Sequence, residues 1–350
     1  MKKKIVTVAL LFCMMMSCFS GCGSSKEKLK LYIVGEYLGE NIISDFEKQY
    51  NCRVIIEYYD SNEMMYTKLA GGATYDLLVP SDYMIERLIN EDQLQPIDKT
   101  IVTNLDLLDE NVVGLDYDPD MTYSVPYFWG TCGIVYNKNN VDYEDLVNEG
   151  FAIMKDSKYK GRVFMYNSSR DSFMIALKDL GYSCNTENVD EINEAYEWLL
   201  ELDAATEPAY VIDYVIDAMA NGEKDLAIMY SGDAAYVINE NDEMSYYTPD
   251  YGTNFWCDSL VIPKNAENPT LANKFINYTL TYDAAMDNTL GVGYASPNAE
   301  VLKEVTSDGG AYYGNPAYYP VKRENDEVFH DNETIRRLTN ELWTKIVANK

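Results

Sequence analysis

Apolar residues along this chain switch repeatedly between two periods. Residues 29–34 form a short run suited to a buried strand, residues 41–50 carry Ile42, Ile43 and Phe46 at helical spacing, and residues 53–58 return to strand. Ser61 is placed to cap a helix bearing Met64, Met65 and Leu69. Residues 75–79 read as a strand stopped by Pro80, and Ser81 opens a further helix with Ile85 and Leu88. The rhythm recurs in strands at 162–165, 226–230 and 260–263 and in helices at 173–180 and 192–202. Such alternation predicts an α/β fold with a largely parallel sheet. Ligands of open α/β sheets sit beyond the carboxyl ends of the strands. That directs attention to residues 35–38, 80–83 and 167–171 and to the surroundings of Trp256, which are rich in Tyr, Trp, Ser and acids.

The first residues break this rhythm. Lys2, Lys3 and Lys4 precede an apolar run over residues 5–19, which has the length of an export signal and is short for a membrane-spanning helix. It ends in Phe19-Ser20-Gly21-Cys22, small residues before a cysteine, similar to a lipoprotein signal box, with Phe19 where leucine is usual. Residues 1–21 are therefore expected to be a lipoprotein signal peptide, Cys22 the lipidated residue, and residues 22–28 a flexible tether. An ordinary secretory signal is the alternative. Either way the protein is expected outside the cell, at the extracellular face of the cell membrane or in the periplasm.

With 350 residues the chain exceeds one simple core and suits two domains of ~100 to 200 residues. It carries 57 acidic against 28 basic residues, a net charge of −29, and loss of the leader's lysines makes it more acidic still. Such a field repels nucleic acid and draws cations towards the protein. Cys52, Cys132, Cys184 and Cys257 have no paired spacing, so neither a zinc site nor a disulfide framework is indicated. A single histidine, His330, excludes a His-rich metal site and leaves a Ser-His-Asp triad without support. No cofactor is expected.

Several ordered stretches carry more information together than apart. They are Gly35-Glu36-Tyr37; Tyr59-Asp60-Ser61-Asn62-Glu63; Tyr75-Asp76-Leu77-Leu78-Val79-Pro80-Ser81; Ser124-Val125-Pro126-Tyr127-Phe128-Trp129-Gly130; Leu180-Gly181-Tyr182; Ser231-Gly232-Asp233-Ala234; Trp256-Cys257-Asp258-Ser259-Leu260; and Gly293-Tyr294 with Pro297-Asn298. Through them the chain resembles the spermidine/putrescine-binding proteins of bacterial polyamine ABC transporters along nearly all of its mature length. The resemblance implies a type II periplasmic-binding-protein fold: two α/β lobes joined by two crossover strands, with the ligand cleft between them. It implies one lobe from residues 29–131 and 260–303 and another from 132–259 and 304–350. It further implies a non-catalytic monomer, held to the membrane by its lipid anchor only, that captures a polyamine and delivers it to permease and ATPase subunits.

A polyamine is an apolar chain with protonated amines, so its pocket needs carboxylates at the ends and aromatic faces along the methylenes. By the resemblance, Asp258 receives an ammonium, and Trp256, two residues earlier on an extended segment, projects to the same side. Tyr37, Tyr83 and Tyr294 match aromatic positions lining the family's cleft, and Tyr230 keeps a stacking face where tryptophan is common. Ser81 matches a hydroxyl that bonds an amine, with an N-cap role as its alternative. Asp171 stands where a second acid contacts an amine, and Glu36 is a further candidate acid. The chain departs from the pattern at Val34, which replaces an aromatic, at Ser168, where a carboxylate can stand, and near His330, where glutamine can. Ligand length is thus left open. Cys132 and Cys257 fall near the lobe crossovers and are read as buried thiols, an oxidised pair being the alternative. Competing readings are an oligosaccharide ligand, ferric iron held by the tyrosine pairs Tyr58-Tyr59, Tyr312-Tyr313 and Tyr318-Tyr319, and a hydrolase with paired acids.

Overall fold

The computed structural model describes residues 26–318 and 322–348; the expected signal peptide, Cys22 and the start of the tether lie outside them. Strand β1 (Lys28–Val34) is followed by helix α1 (Ile42–Tyr50), β2 (Arg53–Tyr59), α2 (Asn62–Ala70), β3 (Leu77–Leu78) and α3 (Asp82–Asn90). β1 pairs in parallel with both β2 and β3. Helix α1 buries Ile42 and Phe46 against the sheet and stops at Asn51, whose φ of 49° lies in the left-handed region asparagine tolerates. Helix α2 starts where the Ser61 hydroxyl accepts the Met64 amide at 3.2 Å.

The chain then enters β4 (Ser124–Asn137), fourteen residues long and buried at every one. Beyond it lie α4 (Tyr143–Glu149), β5 (Val163–Tyr166), α5 (Ser169–Asp179), α6 (Val189–Thr206), β6 (Ala209–Val211), α7 (Tyr214–Ala220), β7 (Leu226–Tyr230), α8 (Ser231–Glu240) and β8 (Met244–Tyr247). β9 (Phe255–Val261) returns, followed by α9 (Pro269–Thr279), α10 (Tyr282–Val292), α11 (Ala299–Thr306) and α12 (Glu333–Val347). The sheet runs β2-β1-β3-β9-β4-β7-β5-β6, with β8 on the side of β4.

β4 joins the two halves of this sheet. Its first part, Ser124 to Thr131, pairs with β9, while Cys132 to Tyr136 pairs with β7 and Ile134 to Asn137 with β8. The expectation of a largely parallel sheet needs correction here. β1, β2 and β3 on one side and β5, β6 and β7 on the other pair in parallel, but every pairing made by β4 and β9 is antiparallel. These strands carry the chain from one half to the other and back, so they run against their neighbours. No period announced β4, because a strand covered on both faces has no polar alternation. β9 likewise begins at Phe255, earlier than the pattern of residues 260–263 suggested, and so includes Trp256 and Asp258.

Large aromatic side chains pack at this junction. Trp129 and Phe255 are fully buried with ring centroids 5.5 Å apart, and the Trp129 indole donates to the Ser296 carbonyl at 2.8 Å. Cys132 and Cys257 are free, buried thiols. Cys257 stands opposite Trp129 in the ladder rather than opposite Cys132.

Candidate ligand-binding site

Loops from both halves meet over the junction and line a cavity of about 230 Å³. Its base is β9, where the period of two places Trp256 and Asp258 on one face. Tyr37 follows β1, Ser81, Asp82 and Tyr83 open α3, Arg170 and Asp171 lie in the first turn of α5, and Tyr230 closes β7. Val34, Asn62, Asn254, Tyr294 and Phe329 complete the wall.

The aromatic residues touch one another edge to face. The Tyr294 ring stands 5.4 Å from Trp256 and 5.6 Å from Tyr37, and Tyr230 stands 6.0 Å from Trp256. Tyrosine hydroxyls hold the acids in turn. Tyr37 donates to Asp258 Oδ2 at 2.6 Å, Tyr230 to Asp171 Oδ1 at 3.0 Å and Tyr294 to Asp233 Oδ1 at 2.7 Å. A phenol satisfies only part of a carboxylate's acceptor capacity, so each acid keeps room for another donor.

Ser81 resolves one ambiguity of the sequence. It occupies the N-cap position of α3, but its hydroxyl makes no cap bond. The hydroxyl accepts the Asn62 side chain at 3.1 Å, and with Tyr37 it stabilises the ionised Asp258. Burial nevertheless raises the Asp258 carboxyl above its ordinary range. Asp171 is raised for the same reason, against the opposing effects of Ser168, Arg170 and Tyr230. Three carboxylates, Asp82, Asp171 and Asp258, face one cation, Arg170, among the described lining residues. Buried acids short of counter-charge are relieved by a cation that enters with its hydrogen-bond donors.

Eight of the expected site residues therefore come together, Tyr37, Ser81, Tyr83, Asp171, Tyr230, Trp256, Asp258 and Tyr294. Glu36 does not join them: it is exposed, with a φ of 57°. Ser168 stays outside the cavity as the N-cap of α5, accepting the Asp171 amide at 3.4 Å. Ser168→Ala is expected to lower stability by about 0.5 to 2 kcal/mol, visible as a reduced thermal midpoint; an unchanged midpoint would deny the cap. His330 is also absent from the wall. Its ring lies 3.0 Å from Glu86 on α3, beside a second cavity of about 500 Å³ that shares Arg170 and Phe329 with the first.

Arg170 and Asp82 were not legible as site residues. The Arg170 guanidinium lies 3.4 Å from the centre of the Tyr83 ring and 3.5 Å from Glu63, bridging α5 to α3 and α2 across the cleft. The signal was position alone: Asp82 lies in residues 80–83 and Arg170 in residues 167–171, both expected beyond strand ends but without a role for these two side chains. Asp233, behind Tyr294, lay inside a quoted motif without a role.

Among the described residues the tyrosine pairs do not form a metal site; Tyr319 lies outside them. Tyr59 donates to the Val79 carbonyl at 2.5 Å, Tyr58 and Tyr313 are exposed, and Tyr312 stacks on Tyr318 at 3.7 Å. Among the described residues no cluster of His, Cys, Asp and Glu is arranged to hold a metal ion.

Two half-sheets joined through antiparallel crossover strands, with a polar and aromatic cavity at the junction, define the class of periplasmic-binding-protein folds. The chain belongs to the bacterial extracellular solute-binding protein family, whose model matches residues 41–312. It is 34% identical over 328 residues to the spermidine/putrescine-binding periplasmic protein of Escherichia coli, covering 92% of each chain. The protein of the same description from Salmonella typhimurium is 34% identical over 295 residues, covering 83% of this chain and 84% of the relative. Among solved structures, the spermidine/putrescine ABC transporter substrate-binding protein PotD from Streptococcus pneumoniae, in complex with calcium and HEPES, superposes with a TM-score of 0.79 at 29% identity. It covers 92% of this chain and 99% of that one. The family and these relatives are solute-binding components of transport, not enzymes.

Proposed function

We propose that this protein captures a polyamine such as putrescine or spermidine outside the cell and delivers it to an ABC permease. The observation that carries this reading is the set of tyrosine-held carboxylates, Asp258 and Asp171, on either side of the Trp256, Tyr37, Tyr230 and Tyr294 rings. Asp258, assisted by Ser81, takes one ammonium; Asp171 takes another; the rings cover the methylenes and add cation–π attraction. Two charge-assisted contacts at ~1.5 to 3 kcal/mol each and two or three cation–π contacts at ~0.5 to 2 are of the size that micromolar binding, about −8 kcal/mol, requires.

Lobes from residues 29–131 with 260–303 and from 132–259 with 304–350 close over the ligand by bending at β4 and β9. The contacts of Arg170 with Tyr83 and Glu63, and of Glu86 with His330 and the Asp331 amide at 2.7 Å, span the two sides of the cleft and support this view. A monomer anchored through Cys22 would then present the closed form to the permease and its ATPase without chemistry of its own.

Calorimetric titration of the form lacking residues 1–22 with putrescine, cadaverine, spermidine and spermine tests this, with maltose and ferric citrate as controls. Saturable heats are expected from polyamines alone. Heats from maltose, or from none of the amines, would reject the reading.

A further inference from the structure

The first turn of α3 holds a buried carboxylate oxygen with no partner at hydrogen-bonding distance. Asp82 is 1% exposed and lines the cavity. Its Oδ1 accepts the Tyr83 amide at 2.7 Å, while Oδ2 is buried without any hydrogen-bond partner. A buried carboxylate left half satisfied is unfavourable for the empty protein, and such orphans call for a reason. Arg170 does not supply the partner, since its guanidinium is engaged by the Tyr83 ring and Glu63.

Asp258 stands next to it, because residues 81 and 258 pair in an isolated antiparallel bridge. Asp82 is thus adjacent to the acid expected to receive an ammonium, and an ammonium carries three N–H donors. Asp258 and the Ser81 hydroxyl offer acceptors for two of them.

We propose, on the footing of the polyamine reading, that Asp82 and Asp258 form a two-carboxylate seat for one ligand ammonium, and that its entry expels the proton Asp82 holds in the empty site. The ammonium N–H bonds to Asp82 Oδ2, and the displaced proton passes to the buffer, so charge and atoms balance without any other reactant.

Burial pushes the Asp82 carboxyl up to about 7; the Tyr83 amide opposes the rise, Asp258 adds to it, and Arg170 and the more distant Cys257 amide oppose it. The groups facing Asp82 are Tyr83 on its own helix, Asp258 and Cys257 on β9, Arg170 on α5, and Tyr117, Cys184 and His330 from the loops. The sign follows directly. Below neutrality each bound cation must displace a proton, so affinity falls by up to about tenfold per pH unit, and above neutrality that dependence disappears. Asp82 also differs from a simple anchor in its effect on the empty fold. Its folded-state pKa is raised, so the stability it contributes below its unfolded value is lost as the pH rises through about 7.

Putrescine titrations between about pH 5.5 and 8.5, each run at every pH in two buffers that hold that pH and differ in ionisation enthalpy, to separate the heat of proton release, test this on the wild type and Asp82→Asn. The wild type should release close to one proton per putrescine at the acidic end, and its affinity should rise roughly fivefold from about pH 6 to 7 and about twofold more by pH 8 before levelling. Asp82→Asn should lose that step, bind at least about tenfold more weakly at pH 8, and unfold at a higher temperature when empty. Saturable wild-type binding without proton release overturns the assignment, and that measurement stands even if the variant does not fold. A variant that keeps both affinity and proton release overturns it too. Absence of binding at every pH by putrescine, and likewise by cadaverine, spermidine and spermine, overturns the polyamine reading itself, an outcome separate from the other two.

Discussion

Asp258→Asn is expected to weaken polyamine binding by about 2 to 5 kcal/mol, roughly thirty-fold to several thousand-fold, because it leaves a buried ammonium facing a neutral amide. Asparagine keeps the shape and can still meet the hydroxyls of Tyr37 and Ser81, so the cavity should survive. The empty protein should not lose stability. Burial raises the Asp258 pKa in the fold, so its favourable contribution exists below the unfolded value and is lost as the pH rises through the folded one. At neutral pH the carboxylate is therefore a burden that asparagine removes. Calorimetry should show the affinity collapse while thermal denaturation shows an equal or higher midpoint. If both fell together, Asp258 would be a structural residue and its assignment as an anchor would fail.

Gly232→Ala tests the aromatic wall from behind. A Cβ at Gly232 would lie 1.6 Å from Cδ1 and 1.9 Å from Cε1 of Tyr294. That ring cannot simply step aside, since its hydroxyl is bonded to Asp233 at 2.7 Å and its backbone carbonyl accepts the Tyr318 hydroxyl at 2.6 Å. Gly232 is the second residue of α8, where alanine would ordinarily stabilise a helix by up to about 1 kcal/mol. Overpacking reverses the sign, with an expected loss of about 1 to 3 kcal/mol. Displacing Tyr294 should also remove a cation–π face, weakening polyamine binding by about 0.5 to 2 kcal/mol. A variant with a raised thermal midpoint would show that the ring does not pack on the glycine as described.

Much of the site was legible because its elements carry local signals. Strand periodicity puts Trp256 and Asp258 on one side whatever the rest of the fold does, and ordered matches pick out Tyr37, Tyr230 and Tyr294 from the chain's 31 tyrosines. Glu36 and Ser168 show where that reasoning stops. Both sit in segments correctly expected at the cleft, yet one turns out to solvent in a left-handed conformation and the other caps a helix. Whether a loop side chain enters a cavity depends on its backbone angles, which neighbouring residue types constrain only weakly.

The amino-acid sequence by itself determined the alternation of strands and helices, the cap at Ser61, the acidic balance and the residue types a cationic ligand needs. These are properties of neighbours within a turn or two, where periodicity and side-chain chemistry act directly. Tertiary structure alone decided that β4 runs through both halves, that Tyr37 reaches Asp258 from 221 residues away, that Arg170 crosses the cleft to Tyr83, and that Asp82 Oδ2 is left without a partner. A period states which side a residue faces; what stands opposite is set by chain segments brought together only when the whole sheet forms.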